Sequence, residues 1–150
     1  MAIALNKNNR AGFTMIELML TIMILGGLMA MLLPAINSAL KKAKKGTAKT
    51  TMMTIKNGIM QYQAELGKYP PKLKDLLVRP KTGDEKVTKK WDGPYGFGEG
   101  TEDVPEDPWG EKFVYKLNPA GSGSKHPYEL YSYGPDGKGS PKEEHIDVWD

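Results

Sequence analysis

Hydrophobic and polar positions divide the chain into three stretches. Residues 1–12 are a short polar leader carrying Lys7 and Arg10. From Phe13 to Ile36 only Thr14, Glu17 and Thr21 are polar among 24 residues. At about 1.5 Å rise per residue this run crosses a hydrocarbon core of roughly 30 Å, which predicts a transmembrane helix over 13–36. The pattern then becomes periodic. Ile36, Leu40, Ala43, Thr47, Met52, Ile55, Ile59, Tyr62 and Leu66 recur mostly three and four apart, one stripe of an amphipathic stem helix over 37–66. Gly67 is the expected stop, with Pro70 and Pro71 just beyond it. A single helix from Phe13 to Leu66 would be about 80 Å long. Pro34 removes a backbone donor and clashes with the turn before it, so a kink or melted turn is expected between Gly26-Gly27 and Pro34. The glycine pair also suits close approach of packed membrane helices.

The remaining residues, 67–150, read as a globular head. Leu73-Lys74-Asp75-Leu76-Leu77-Val78 is amphipathic and long enough for two helical turns against the stem. Residues 80–105, rich in Gly, Lys, Asp and Glu, read as a loop. Trp91, Tyr95 and Phe97 predict that this loop is pinned to the head, because disordered linkers are poor in aromatics. Phe113-Val114-Tyr115 and the alternating Tyr128–Tyr133 read as antiparallel strands, the second ending at Gly134-Pro135-Asp136-Gly137. The fold class is therefore α+β, a long N-terminal helix packed on a small antiparallel sheet.

Composition narrows this picture. The 150 residues leave room for one small domain besides the helix, and that domain buries only a modest core. Zero cysteines exclude a disulfide staple. The net charge of +3 hides a division: ten Lys+Arg against three acids over 13–79, and nine lysines against fifteen acids over 80–150. A basic stem below an acidic head suits head-to-stem docking of subunits or contact with anionic membrane lipid, and equally a solvated charged surface. The methionines at 15, 19, 23, 29 and 31 are ordinary apolar filling rather than a metal path.

Glu17 stands about one turn into the apolar run, where an ionised carboxylate costs about 2.5–3.5 kcal/mol on insertion scales. A partner must offset that cost. An α-amino group freed at Phe13 by cleavage after Gly12 would serve, its ammonium neutralising Glu17 of a neighbouring helix in a bundle. Gly12-Phe13-Thr14-Met15-Ile16-Glu17 resembles the cleavage motif of class III signal sequences, those of type IV pilins and type II secretion pseudopilins. The leader fits, being short, polar and without an apolar h-region. The resemblance implies that a prepilin peptidase cuts between Gly12 and Phe13 and N-methylates Phe13, and that Glu17 and Pro34 serve assembly. It also puts the leader in the cytoplasm and the head in the periplasm. Lysine counting alone would place the head inside, since Lys41, Lys42, Lys44 and Lys45 outnumber Lys7 and Arg10. The location of the peptidase overrides that count.

Lys68-Tyr69-Pro70, Asp107-Pro108-Trp109-Gly110, the Ser132–Gly137 segment and Trp149 resemble the major pseudopilins of type II secretion systems, the G component. The missing disulfide points the same way. This resemblance implies a type IV pilin-like fold and a single-pass inner-membrane subunit. That subunit would polymerise with itself, with minor pseudopilins and on an inner-membrane assembly platform, to drive protein export. It further implies a calcium ion held by Asp136, by main-chain carbonyls such as that of Tyr133, and by a later pair of aspartates. Calcium takes six to eight oxygens at about 2.3–2.6 Å, which carboxylates and carbonyls of an irregular loop can supply. Asp136 matches the pattern, whereas the aspartate pair is replaced by Glu143-Glu144 followed by His145-Ile146-Asp147. The departure implies weaker binding or a substitute clamp, Trp149 packed on the sheet.

Other chemistry is absent from the pattern. His126 and His145 have no partners at zinc spacing. There is no phosphate loop, no GxSxG and no nucleophile with a paired base, so an enzyme is not expected. The lysines at 41–45 lack the aromatic platform and fold of a nucleic-acid site. Two other functions remain open: a type IV or competence pilin forming a surface fibre for adhesion or DNA uptake, and an anchored periplasmic binding module, which cleavage at Gly12 would exclude.

Overall fold

The computed structural model describes residues 12–80, 85–119 and 121–149, so the leader up to residue 11 lies outside the described residues. The chain divides into two units, Met1–Leu40 and Lys41–Asp150. The described elements, in order, are helix α1 (Met15–Leu66), a 3-10 turn at Leu73–Leu76, helix α2 (Glu85–Lys90), strands β1 (Val114–Leu117) and β2 (Tyr128–Ser132), a 3-10 turn at Lys142–Glu144, and strand β3 (Ile146–Asp147).

In the first unit α1 is helical through Gly26, Gly27 and Pro34. The melted turn expected there does not form. Proline removes only one hydrogen bond from a ladder whose other bonds persist, and nothing lies within 4 Å of a Cβ placed on either glycine to force the chain apart. Every described residue of this unit is exposed, from Phe13 at 86% to Leu40 at 56%. The helix is long and apolar enough to cross a membrane.

In the second unit α1 turns one face inward. Ala48, Met52, Ile55, Gly58, Ile59 and Tyr62 are buried, and Leu66 packs against them. The stripe begins at Ala48 rather than at Ile36, because the head covers only this later part of the helix; Ala43 and Thr47 are exposed. Gly67 ends α1 in a left-handed conformation (φ 72°), its N–H bonded to the Gln63 carbonyl at 2.8 Å. The run after Pro71 forms a single 3-10 turn instead of two helical turns, and it still buries Leu76 and Leu77 in the core.

The segment over 80–105 is not wholly a loop, since α2 lies within it. Its pinning is as expected. Trp91 Nε1 donates to the Asp75 carbonyl at 3.0 Å, and Tyr95 N donates to that of Leu76 at 2.8 Å. The Tyr95 hydroxyl donates to Glu65 Oε2 at 2.6 Å. Here the chain presses against α1: a Cβ on Gly58 would stand 2.7 Å from the Tyr95 carbonyl oxygen, and one on Gly96 2.7 Å from that of Thr54.

The sheet is antiparallel in the order β1-β2-β3, with Tyr115 opposite Leu130 and Ser132 opposite Ile146. Alternation along β2 sends Tyr128, Leu130 and Ser132 inward and exposes Glu129. Tyr115 donates its hydroxyl to the Pro70 carbonyl at 2.9 Å, joining the sheet to the chain after the stem. Burial, followed by the bond to Glu65, pushes the Tyr95 hydroxyl up to about 12. Burial and then Tyr69 push Tyr128 up to about 12, and burial raises Tyr115 as well. Tyrosines of the unfolded chain ionise near pH ~10. The stabilisation from burying them neutral is therefore complete below pH ~10 and lost as pH rises toward about 12. The thermal midpoint of the head should accordingly hold between neutrality and pH ~9 and fall beyond pH ~10; a midpoint level through pH ~11 would refute this.

Candidate functional site

Two places carry the residues singled out by sequence. At the start of α1, Thr14 and Glu17 form a capping box. Glu17 Oε2 accepts from Thr14 N at 2.9 Å and from Thr14 Oγ1 at 2.8 Å, while Glu17 N donates to Thr14 Oγ1 at 3.3 Å. Thr21 Oγ1 donates to the Glu17 carbonyl at 2.6 Å. The three polar residues of the apolar run are thus hydrogen-bonded to one another, a relation that the Thr-x-x-Glu spacing encodes. Among the described residues no cation forms a salt bridge with Glu17, so these bonds leave its charge uncompensated there. Phe13 precedes the helix, fully outside it, and Gly12 is exposed beside it. Pro34 lies inside α1 and is exposed.

The second place is the tail. Asp107 is 5% exposed and organises the turn that leads into β1. Its Oδ1 accepts from Trp109 N at 3.0 Å and from Glu111 N at 2.9 Å, and Oδ2 accepts from the buried Ser132 hydroxyl at 2.5 Å. Ser132 Oγ in turn accepts from Gly134 N at 3.0 Å, so the two segments chosen for their resemblance, 107–110 and 132–137, are one hydrogen-bonded unit. Nothing in the spacing of the two segments indicated this link.

Asp136, Glu143 and Glu144, expected around calcium, border one cavity of about 310 Å³. Lys41, Lys42 and Lys45 border the same cavity. Among the described residues no three His, Asp or Glu side chains come together as a metal-binding group. The Tyr133 carbonyl accepts from Ser140 Oγ at 3.1 Å. A divalent cation needs several converging oxygens, and here it would compete with three ammonium groups for dispersed carboxylates. These residues do not fit a calcium ion.

Trp149 does pack on the sheet. Its Nε1 donates to the Tyr128 carbonyl at 3.2 Å, its ring stacks on His126 at 4.1 Å, and the Lys56 ammonium lies 3.9 Å over it. Before it, Val148 N bonds to the Leu130 carbonyl at 3.1 Å and Ile146 pairs with Ser132.

With this geometry in hand, comparison with known proteins is specific. The chain matches the family model of type II secretion system protein G over residues 35–150 and the prokaryotic N-terminal methylation motif over residues 7–33. It is 35% identical to the type II secretion system core protein G of Pseudomonas aeruginosa, across 97% of this chain and 99% of that one. Against the core protein G of Dickeya chrysanthemi the identity is 30%, across 87% and 81%. The fold is similar to the crystal structure of the major pseudopilin of enterohaemorrhagic Escherichia coli, with a TM-score of 0.56 and 22% identity, covering 75% of this chain and 91% of that one. The long N-terminal helix and three-stranded antiparallel sheet accord with that structure, and the motifs at both ends of the chain agree with the matches: this protein belongs to the type II secretion system protein G family, a family of structural subunits and not of enzymes.

Proposed function

We propose that the protein is the structural subunit of a type II secretion pseudopilus. Prepilin peptidase removes the leader between Gly12 and Phe13 and methylates the Phe13 nitrogen. The apolar part of α1 then crosses the inner membrane once, with the head in the periplasm. Subunits polymerise with copies of themselves and with minor pseudopilins, on an inner-membrane assembly platform, to drive export. The observation that carries this reading is the pairing of a folded head with an N-terminal unit that is predominantly apolar and is exposed throughout its described length. A surface of that size stays in water only at large cost, about 25 cal/mol per Å², so lipid and other copies of the same helix are its natural cover. The match to the N-terminal methylation motif supports the processing step.

Processing supplies the test. Protein extracted from membranes should begin at N-methylated Phe13 by mass spectrometry. Gly12→Val should retain the leader and lose filament formation, because a branched side chain crowds the scissile bond. A functional filament whose subunits begin at Met1 would sink the assignment.

A further inference from the structure

The residues expected to hold a metal are dispersed, yet the tail they belong to is ordered into β3. Something else closes the loop between Gly134 and Ile146. At its centre is His145, which no motif assigned. Its ring stacks on Tyr131 with centroids 4.8 Å apart and planes 9° from parallel. It meets Tyr133 edge to face at 5.3 Å and 89°. Those two tyrosines pack against each other at 5.6 Å and 87°, so the imidazole completes a three-ring cluster. Its Nε2 lies 3.1 Å from the Ser140 carbonyl oxygen. A carbonyl only accepts, so this nitrogen carries the hydrogen. Ser140 in turn donates its hydroxyl to the Tyr133 carbonyl at 3.1 Å. The loop's own turns complete the closure: Gly137 N bonds to the Gly134 carbonyl at 3.3 Å, Ser140 N to that of Gly137 at 3.2 Å, and His145 N to that of Lys142 at 3.2 Å.

We infer that the C-terminal loop of this protein is closed without a metal ion, by the imidazole of His145 clamped between Tyr131, Tyr133 and the Ser140 carbonyl. One ring does what an ion would do by coordination. It ties the far side of the loop, at Ser140, to the end of β2 and hands the chain on to β3 one residue later. The carboxylates that a calcium site would consume border the same cavity as Lys41, Lys42 and Lys45. Trp149 seals the outer end of the same tail on Tyr128. The stacking and the hydrogen bond are separable contributions, since phenylalanine keeps a ring but has no N–H to donate.

The test uses the full-length protein in detergent micelles, followed by near-ultraviolet circular dichroism on heating and by amide exchange. The thermal midpoint of the head should be the same in excess chelator and in millimolar calcium. His145→Ala should lower it by about 4–8 °C and speed exchange of the Ile146 and Val148 amides about tenfold. His145→Phe, which keeps the ring contacts and loses only the hydrogen bond, should fall between alanine and wild type in both readings. Asp136→Asn combined with Glu143→Gln and Glu144→Gln should leave them unchanged. A midpoint that drops on chelation and returns with calcium would overturn the inference, as would His145→Ala matching wild type in both readings. Neither result reads filament assembly, so the pseudopilus assignment stands or falls separately.

Discussion

Glu17→Leu is expected to give a processed, membrane-inserted protein that fails to form filaments, while Glu17→Gln separates the two roles this carboxylate can have. Within one chain Glu17 caps its own helix through Thr14, and leucine abolishes that cap. A lost cap costs about 0.5–2 kcal/mol and frays the first turn. Glutamine accepts the same two hydrogen bonds with its side-chain oxygen, so it keeps the cap and removes only the charge. In lipid the charge needs a counterion, and the ammonium of a neighbouring Phe13 is the cation that processing would create. Breaking such a buried pair costs about 3–5 kcal/mol at each subunit contact, enough to lower association by at least a hundredfold. Filament yield should thus collapse in both variants, and insertion, read by carbonate extraction, should survive in both. Normal filaments from Glu17→Gln would show that the residue acts as a helix cap alone.

How far the sequence carried depends on what each signal physically encodes. The limits of α1 were readable because an unbroken apolar run, a 3–4 periodicity and a terminal glycine are local properties of the chain. The pinned segment 91–97 was readable because aromatic residues in a polar stretch have to be buried somewhere. Its helix α2 was not, since Glu85–Lys90 contains Val87 as its one apolar residue and so carries no apolar periodicity. The start of the buried stripe at Ala48 depends on how far the head reaches along the helix, and that is a tertiary fact. The tail was the least transparent part. β3 is two residues long and stands only through its pairing with β2, and His145 finds its role from rings fifteen residues away or less that no spacing rule joins. Family resemblance there implies an ion, whereas the ring contacts of His145 are visible only once the chain is folded.

The same substitution at two glycines of α1 should have opposite effects, which tests the head's closest backbone contact. Gly58 is buried where the 95–96 backbone crosses the helix; a Cβ there would lie 2.7 Å from the Tyr95 carbonyl oxygen and 3.4 Å from Gly96 Cα. Both neighbours are main chain, so no flexible side chain can move aside. Either the helix or the segment must retreat, and retreat strains three bonds at once: Tyr95 N to Leu76, the Tyr95 hydroxyl to Glu65 and Trp91 to Asp75. Overpacking of this kind costs about 1–3 kcal/mol. In a head of this size that lowers the thermal midpoint by roughly 5–20 °C, and Gly58→Val should unfold it at ordinary temperature. Gly46 lies on the same helix with nothing within 4 Å of the added carbon. There alanine only relieves the entropic cost of helical glycine, about 0.5–1 kcal/mol, and should raise the midpoint. Gly96→Ala should resemble Gly58→Ala or exceed it, because its φ of 78° disfavours any side chain in addition to the 2.7 Å approach to Thr54. If Gly58→Ala is as benign as Gly46→Ala, the helix and the 91–97 segment do not pack at this distance, and the pinning of that segment to the stem is lost with them.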